Sequence, residues 1–257
     1  MVEGPTAKAY AIKINKEFFG ETVKNIFIKS KKVFIPSAEI LGKSFSNADS
    51  IGKNILLFFD DVAIRVHLML FGSIHIYGIN EDLQKPKKQV RVIVEGARKK
   101  IVIYNAPIVE IDKKDEILRR LRSELGPDPL NSEWDEERAI QNILKFPNEK
   151  IGVVLLNQSV IAGIGNILRN EDLFRARINP ERIVGKLSEE ETRRVVRICK
   201  ELSEEFLKLK IRGVRIGPIL YVYNKYGKKC NDCGNGIRFY FQEPIRRKTF
   251  VCGKCQK

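Results

Sequence analysis

Residues 155–174 read LLNQSVIAGIGNILRNEDLF, and this stretch does most to decide the fold of the chain. Its apolar first half predicts a helix that ends before the Gly163-Ile164-Gly165 turn, and a second helix is expected to begin at Asn166. Glycines let backbone amides approach a ligand closely, and the N-terminus of a helix favours phosphate. A tight turn between two packed helices has the same pattern, so the stretch alone leaves both interpretations open.

The residues before this stretch predict a β-rich domain. The sequence LGPDPLNS at 125–132, with two prolines and a glycine, marks a boundary. Between residues 23 and 109, short β-branched and aromatic runs alternate with turn residues, as is typical of a two-layer antiparallel sandwich. A helix is expected from about residue 4 to residue 20, because apolar residues recur there at i, i+4 spacing, namely Tyr10, Ile14 and Phe18.

The residues after the stretch indicate helix up to about residue 210. Ser188 and Glu191 have the spacing of a capping box, which predicts that a helix begins there. Cys199 lies on the apolar face of this helix, so we expect it to be a buried apolar residue rather than a reactive thiol. That face has spacings typical of a helix and consists of Val195, Cys199, Leu202, Phe206 and Leu209.

The other four of the five cysteines form two CxxC pairs near the C-terminus, Cys230 with Cys233 and Cys252 with Cys255. Each pair brings two thiolates to one metal ion, and the 18 residues between the pairs suit a β-hairpin. The sequence therefore predicts a zinc ribbon. Four thiolates complete a tetrahedral site and leave no position for water or substrate, so the predicted zinc ion is structural.

The charge of the chain indicates a polyanionic partner. The 257 residues carry a formal net charge of +15, and the last 34 residues contain nine Lys or Arg but only two acids. Nucleic acid and an anionic membrane surface both fit such a charge. The membrane is disfavoured because the charge is not concentrated on one amphipathic helix. The sequence has no run of 18 apolar residues and no secretory signal, so we expect a cytoplasmic, nucleoid-associated protein.

Residues 155–174 resemble the helix–two-turn–helix of the formamidopyrimidine-DNA glycosylase and endonuclease VIII (Fpg/Nei) family, and the resemblance extends over the whole chain. Four further motifs occur in the order found in that family. They are the N-terminal Val2-Glu3-Gly4-Pro5, the Gly-Lys before an apolar strand at 52–57, the LGPDPL linker at 125–130, and the Cys-x-x-Cys-Gln ending at 252–256.

The resemblance implies an α+β multidomain fold. We expect an N-terminal antiparallel β-sandwich with flanking helices over residues 1–122. A helix–two-turn–helix DNA-binding domain is expected over 123–216, and a zinc-ribbon module with one structural zinc ion over 217–257. The implied partner is damaged DNA, and the protein is expected to be a monomer.

The resemblance also implies a bifunctional DNA glycosylase and AP lyase that removes oxidised bases. In the family the N-terminal α-amine, here that of Val2 after removal of Met1, attacks C1′ and forms a Schiff base. Glu3 is expected to move protons at the sugar, and Lys53 and Glu171 are further catalytic candidates. Most of the family has Pro at the position of Val2. Pro gives an iminium that is always cationic, whereas Val gives an imine that can lose its proton and then withdraws electrons less well. We therefore expect β-elimination to be slower than in family members with Pro.

DNA contacts carry over to two groups of residues. Lys53, Asn166 and Arg247 match residues that bind phosphate. Met69, Leu70 and Phe71 match a loop that fills the gap left by the flipped base, although an apolar trio beside a glycine turn is otherwise more often part of a core. The family's second gap-filling loop matches residues 104–108, which lack its Arg and Phe. We therefore expect tolerance of single-stranded DNA.

Two alternatives remain open. One is an enzyme of the 8-oxoguanine branch, which the short connection at 213–221 disfavours because it leaves no room for that branch's capping loop. The other is a non-catalytic DNA-binding protein of the same fold, which Glu3 and Lys53 disfavour. His67 and His75 lie in strand-like runs and are expected to be structural.

Overall fold

The computed structural model describes residues 2–257. It divides into two compact units. Val2 and Thr6–Ser123 form the first, and Glu3–Pro5 with Glu124–Lys257 form the second. The three domains expected from the sequence differ from this division, because residues 217–257 pack with 124–216 in one unit and residues 3–5 belong to that unit too. Among the described residues, no helix is long and apolar enough to cross a membrane.

The first unit contains two sheets and a helix that share one core. Helix α1 (Gly4–Phe18) ends two residues before Gly20, whose φ of 76° suits a helix end, and Ile14 and Phe18 are buried as predicted. The strands are β1 (Asn25–Ile28), β2 (Lys32–Val33), β3 (Phe45–Ile51), β4 (Asn54–Phe59), β5 (Val62–His67), β6 (Ser73–Gly78), β7 (Val90–Glu95), β8 (Lys99–Tyr104) and β9 (Ile108–Lys113).

The two sheets have four and five strands, in the orders β1-β7-β8-β6 and β2-β9-β5-β4-β3. Apolar residues of both sheets and of α1 form one buried cluster, so the predicted sandwich is confirmed. It is not wholly antiparallel as expected, because the two-residue strand β2 pairs parallel to β9. Helix α2 (Lys114–Glu124), which the sequence reasoning did not identify, follows β9 and buries Ile117 and Leu121.

The second unit is helical with a β-hairpin. It contains α3 (Glu136–Leu144), α4 (Ile151–Val154), α5 (Asn166–Arg175), α6 (Glu189–Ile211), β10 (Arg238–Gln242) and β11 (Arg247–Val251). The predicted capping box is present at the start of α6, where the Glu191 N–H donates to Ser188 Oγ at 3.1 Å and the Ser188 N–H donates to Glu191 Oε2 at 2.8 Å. The apolar face of α6 packs into the helical core.

Candidate active site and metal centre

The nitrogen of Val2 lies against the loop that follows β5. It donates a hydrogen bond to the carbonyl of Met69 at 3.1 Å, and the Val2 side chain is buried in the core of the first unit. Met69 has a φ of 51°, a left-handed conformation that is uncommon for residues other than glycine. The proposed nucleophile and the proposed gap-filling loop are therefore in direct contact.

The gap-filling loop exposes the three side chains that the sequence singled out. Met69, Leu70 and Phe71 are 48%, 51% and 81% exposed, whereas the preceding Leu68 is completely buried. Gly72 closes the loop by donating its N–H to the Leu68 carbonyl, and a Cβ at Gly72 would lie 2.6 Å from that oxygen. The trio is thus an apolar tip on a tight turn and not part of the core.

His67, at the end of β5, supports this loop. Its Nδ1 accepts the Met69 N–H at 3.2 Å, which places the ring proton of the neutral imidazole on Nε2. Burial, and then the charges of Lys53 and Arg65, lower the pKa of His67 to about 4. His67 is therefore neutral at physiological pH, and Lys53 lies near it. The sequence reasoning treated His67 as merely structural and did not connect it with Lys53.

In the second unit, the Glu3 carboxylate is bound to the N-terminus of α5. Glu3 is completely buried, and its two carboxylate oxygens accept the N–H groups of Ile167 at 2.7 Å and Leu168 at 3.1 Å. These N–H groups have no partner within the helix, and the positive end of the helix dipole favours a negative charge there. Helix α5 therefore fixes the carboxylate next in sequence to Val2.

The Gly163-Ile164-Gly165 turn contacts the N-terminal residues Glu3 and Gly4. The Gly4 N–H donates to the Gly163 carbonyl at 2.9 Å, and a Cβ at Gly165 would lie 2.4 Å from the Glu3 carboxyl carbon. The predicted helix in the apolar first half of 155–174 is wrong, because α4 ends at Val154 and turns follow up to Gly165, whereas the predicted start of a helix at Asn166 is confirmed. The anion at the helix N-terminus is the protein's own carboxylate, and the turn is shaped by it.

The polar residues of α5 hold the hairpin strand β11. Asn166 is 3% exposed, and its Nδ2 donates to the Lys248 carbonyl at 2.9 Å. Asn170 accepts the Phe250 N–H at 2.7 Å. Since Lys248 follows Arg247, the bond from Asn166 brings two of the predicted phosphate-binding residues together.

Arg169, between these two asparagines, is fully buried. Its guanidinium donates to the Gly152 and Lys248 carbonyls, to Gln242 Oε1 at 2.6 Å and to Thr249 Oγ1 at 2.8 Å. Burial lowers the pKa of Arg169 to about 10, so it remains charged near neutral pH. A single side chain thus ties α5 to both strands of the hairpin. The sequence reasoning missed it.

Glu171, which the resemblance makes a catalytic candidate, contacts the backbone of the segment that precedes the zinc ribbon. The carboxylate is buried and accepts three successive backbone N–H groups, those of Tyr221, Val222 and Tyr223, at 2.6–2.9 Å. These bonds fix the segment that leads into the zinc ribbon. They place the Tyr223 hydroxyl within hydrogen-bonding reach of Asn166, where burial and the charge of Glu3 raise its pKa. Tyr223 is a further site residue that the sequence reasoning missed.

The four cysteines of the two CxxC pairs form a cluster that can hold a metal ion. All four Sγ atoms lie within 4.8 Å of one another, with 3.9 Å between Cys230 and Cys255 and 3.4 Å between Cys233 and Cys252. The chain end is fixed to the cluster by Gln256, which accepts the Cys252 N–H at 3.0 Å and donates to the carbonyl of Ile178. The hairpin between the pairs carries Arg247, which is exposed.

Comparison with known proteins shows the family of the chain. The family model described as the formamidopyrimidine-DNA glycosylase N-terminal domain matches residues 1–107, and that described as the formamidopyrimidine-DNA glycosylase H2TH domain matches residues 125–216. The chain is 30% identical to a probable endonuclease 8 2 of Streptomyces coelicolor, over 86% of this chain and 82% of that protein. It is also 30% identical to a formamidopyrimidine-DNA glycosylase of a Wolbachia strain, over 94% and 93% of the two chains.

Among solved structures, the Lactococcus lactis Fpg in complex with DNA containing an abasic site has the same fold. The TM-score is 0.88 at 23% identity, and the match covers 99% of both chains. The family models together span more than half of the chain, and the relatives match over most of their length. The chain therefore belongs to the Fpg/Nei family of base-excision-repair enzymes, which are DNA glycosylases with AP lyase activity.

Proposed function

We propose that this enzyme removes oxidised bases from DNA with the α-amine of Val2 as its nucleophile. The position of Glu3 carries the proposal. Its buried carboxylate is next in sequence to Val2 and is held by two N–H groups of α5. A carboxylate held in one position, on the residue that follows the α-amine in the chain, is suited to move protons at the reacting sugar.

The reaction begins once Met1 is removed and the Val2 nitrogen is a free amine. A model α-amine has a pKa of ~7.7–8.0, so roughly a tenth or more is unprotonated near pH 7. The nitrogen forms a bond to C1′, the bond to the base breaks, and opening of the sugar ring gives a Schiff base. β-Elimination then breaks the bond to the 3′ phosphate. The Val2 imine can lose its proton, so this elimination is expected to be slower than in an enzyme that has proline at this position.

The proposed substrate is damaged DNA, either duplex or single-stranded. Lys53, Asn166 and Arg247 bind phosphates, and the exposed Met69, Leu70 and Phe71 fill the gap left by the flipped nucleotide. Tolerance of single strands follows from the β8–β9 connection, residues 105–107. Its Ala106 is buried and it has no Arg or Phe to contact an opposite base.

The length of another connection favours oxidised pyrimidines and hydantoins over 8-oxoguanine. Helix α6 ends at Ile211 and a 3₁₀ turn begins at Gly217, so only five residues lie between them. Five residues are too few for a loop that covers a flipped base. An enzyme of the 8-oxoguanine branch would instead release 8-oxoguanine faster than a hydantoin or thymine glycol.

The metal in the proposed enzyme is one structural zinc ion bound by Cys230, Cys233, Cys252 and Cys255. Zinc–sulfur bonds of ~2.3 Å in a tetrahedron separate the sulfur atoms by roughly 3.8 Å. The Cys230–Cys255 and Cys233–Cys252 distances of 3.9 and 3.4 Å are close to this value, and all four Sγ atoms lie within 4.8 Å of one another. The ion would fix the hairpin that carries Arg247. We further propose that the enzyme acts as a monomer in the cytoplasm, on nucleoid DNA.

Borohydride trapping on abasic-site DNA tests the proposal. Protein without Met1 is expected to form a covalent complex whose adduct maps to Val2, and protein that retains Met1 should trap far less. Glu3→Gln keeps the side-chain volume but removes the charge, and it should slow base release while zinc content is unchanged. An adduct on Lys53 would refute the assignment of the nucleophile. No adduct at all would favour a non-catalytic DNA-binding protein.

A further inference from the structure

One face of the β10–β11 hairpin carries aromatic rings, and its outer rings lie outside the core of the ribbon. Phe239 and Phe241 point to the same side of β10, and the strand register places Lys248 of β11 directly across from Phe241. Tyr226 packs edge-on against Phe239, with 6.1 Å between the ring centroids. We call these four residues, Tyr226, Phe239, Phe241 and Lys248, the aromatic face.

The outer rings of this face are open to solvent. Tyr226 is 69% exposed and Phe241 is 51% exposed. The ribbon's buried cluster includes Phe250, with Phe239 packed against it, but it includes neither Tyr226 nor Phe241. Exposed aromatic rings add little to stability, so their presence side by side points to a ligand.

The charge beside the rings is positive. Lys248 lies across from Phe241, and Lys225 and Lys228 flank Tyr226 in the chain. Among the described residues, none of these three lysines forms an ion pair with an acid. The face therefore suits an anion that also presents flat π surfaces. Unpaired nucleotides have both properties, whereas bases in a duplex are already stacked on each other.

The aromatic face is continuous with the proposed active site. Tyr223, beside Asn166, contacts Phe250 with 5.4 Å between ring centroids, and Phe250 contacts Phe239 at 5.3 Å. Phe239 in turn contacts Phe241 at 5.2 Å. A row of rings thus runs from the residues next to Glu3 to the surface of the ribbon.

We propose that the aromatic face binds unpaired nucleotides of a DNA strand, by stacking bases on Tyr226 and Phe241 while Lys248 contacts a phosphate. The proposal rests on the enzyme acting on DNA and not on the chemistry assigned to Val2. Such a site would increase the affinity of the enzyme for single-stranded DNA. It would act in addition to the β8–β9 connection, which has no Arg or Phe to contact an opposite strand.

Binding of a labelled 15-nucleotide oligo(dT) and of a 15-base-pair duplex tests the proposal. Tyr226→Ala and Phe241→Ala are each expected to weaken oligo(dT) binding about tenfold and duplex binding less than twofold. Phe241→Trp should retain the affinity and Phe241→Leu should not, because a leucine has no π face. Phe19→Ala removes a ring that is 71% exposed in the first unit, and this control should change neither affinity.

The salt dependence separates stacking from charge. The alanine variants of the two rings should leave the slope of log affinity against log salt unchanged, and Lys248→Ala should reduce it by about 0.7 on single strands. Equal losses on oligo(dT) and duplex, or leucine performing as well as phenylalanine, would overturn the proposal. Trapping on duplex abasic-site DNA by the Phe19→Ala control should stay within twofold of the parent. A failure of trapping in the parent enzyme would concern Val2 and not this face.

Discussion

Replacing Gly165 by alanine is expected to displace the Glu3 carboxylate and suppress turnover without a change in any group that contacts DNA. The added Cβ would lie 2.4 Å from the Glu3 carboxyl carbon and 2.5 Å from Oε1, far inside contact distance. The backbone of Gly165 is extended, with φ −117° and ψ −167°, which alanine adopts without strain. The perturbation is therefore confined to the space that Glu3 occupies.

The loss of unfolding free energy in Gly165→Ala is set by the two hydrogen bonds that break when the Glu3 carboxylate moves. The two hydrogen bonds from Ile167 and Leu168 end on a charged group, and such bonds contribute ~1.5–3 kcal/mol each. Water can replace part of this when Glu3 moves out, so we expect a loss of about 2–4 kcal/mol in unfolding free energy. An alanine without the clash would instead stabilise the chain by ~0.4–1 kcal/mol. Loss of the positioned carboxylate should slow base release by about 10²–10⁴-fold.

Single-turnover base release and denaturant unfolding, measured on the same preparations, check both numbers. Gly78→Ala is the matched control, since its Cβ would meet only side-chain atoms of Glu81, at 3.9 Å. The double variant Glu3→Gln with Gly165→Ala should release base only slightly more slowly than either single variant, because both changes act on the same carboxylate. A rate of base release by Gly165→Ala within threefold of the parent rate would refute the claim that catalysis depends on the position of the Glu3 carboxylate.

Three further predictions concern other parts of the site. Because free His67 has a pKa of ~6.5 and burial lowers it to about 4 in the fold, its contribution to stability is present above pH 6.5 and lost as the pH falls towards 4. After allowance for partial exposure this amounts to about 2 kcal/mol, and His67→Asn, measured by denaturant unfolding across this range, should lack that share of the pH dependence. Cys233→Ser should lower the zinc content measured by elemental analysis and weaken DNA binding at least tenfold, whereas Cys199→Ser should leave the zinc content unchanged. Arg247→Ala should weaken binding to every duplex sequence and reduce the salt slope by about one, and an unchanged slope would mean that Arg247 does not contact phosphate.

The features that could be predicted from the sequence are those set by near neighbours in the chain. The capping box at Ser188, the CxxC pairs and the apolar face of α6 each depend on spacings of a few residues, and the structure has all three. The sandwich was predictable for the same reason, since short apolar runs between turn residues predict strands that contribute to a common core. The parallel pairing of β2 was not predictable, because two residues carry no periodicity.

The features that could not be predicted depend on partners far along the chain. Nothing near Gly165 shows that its missing side chain makes room for Glu3, 162 positions earlier. Cys199 is buried as expected, but its Sγ also donates to Asp172 at 3.4 Å, and burial raises the pKa values of both groups. Hydrophobic periodicity in a single sequence predicts that such residues are buried. It does not identify the distant groups to which they are hydrogen-bonded.

Helix α5 shows why these distant contacts belong together. Its residues 169–172 read RNED and are all buried, in a helix of only ten residues. Burying a polar group is costly unless it finds a partner, so each of them must have a fixed neighbour. The helix backbone binds Glu3, Arg169 and Asn170 bind the hairpin, and Glu171 binds the segment leading to it. Asp172 accepts a hydrogen bond from Cys199, so each of these four residues is bonded to a fixed partner, and these bonds hold the helix in one arrangement. It therefore sets the position of the Glu3 carboxylate, which we propose to be catalytic, and of the hairpin that carries Arg247 at the same time.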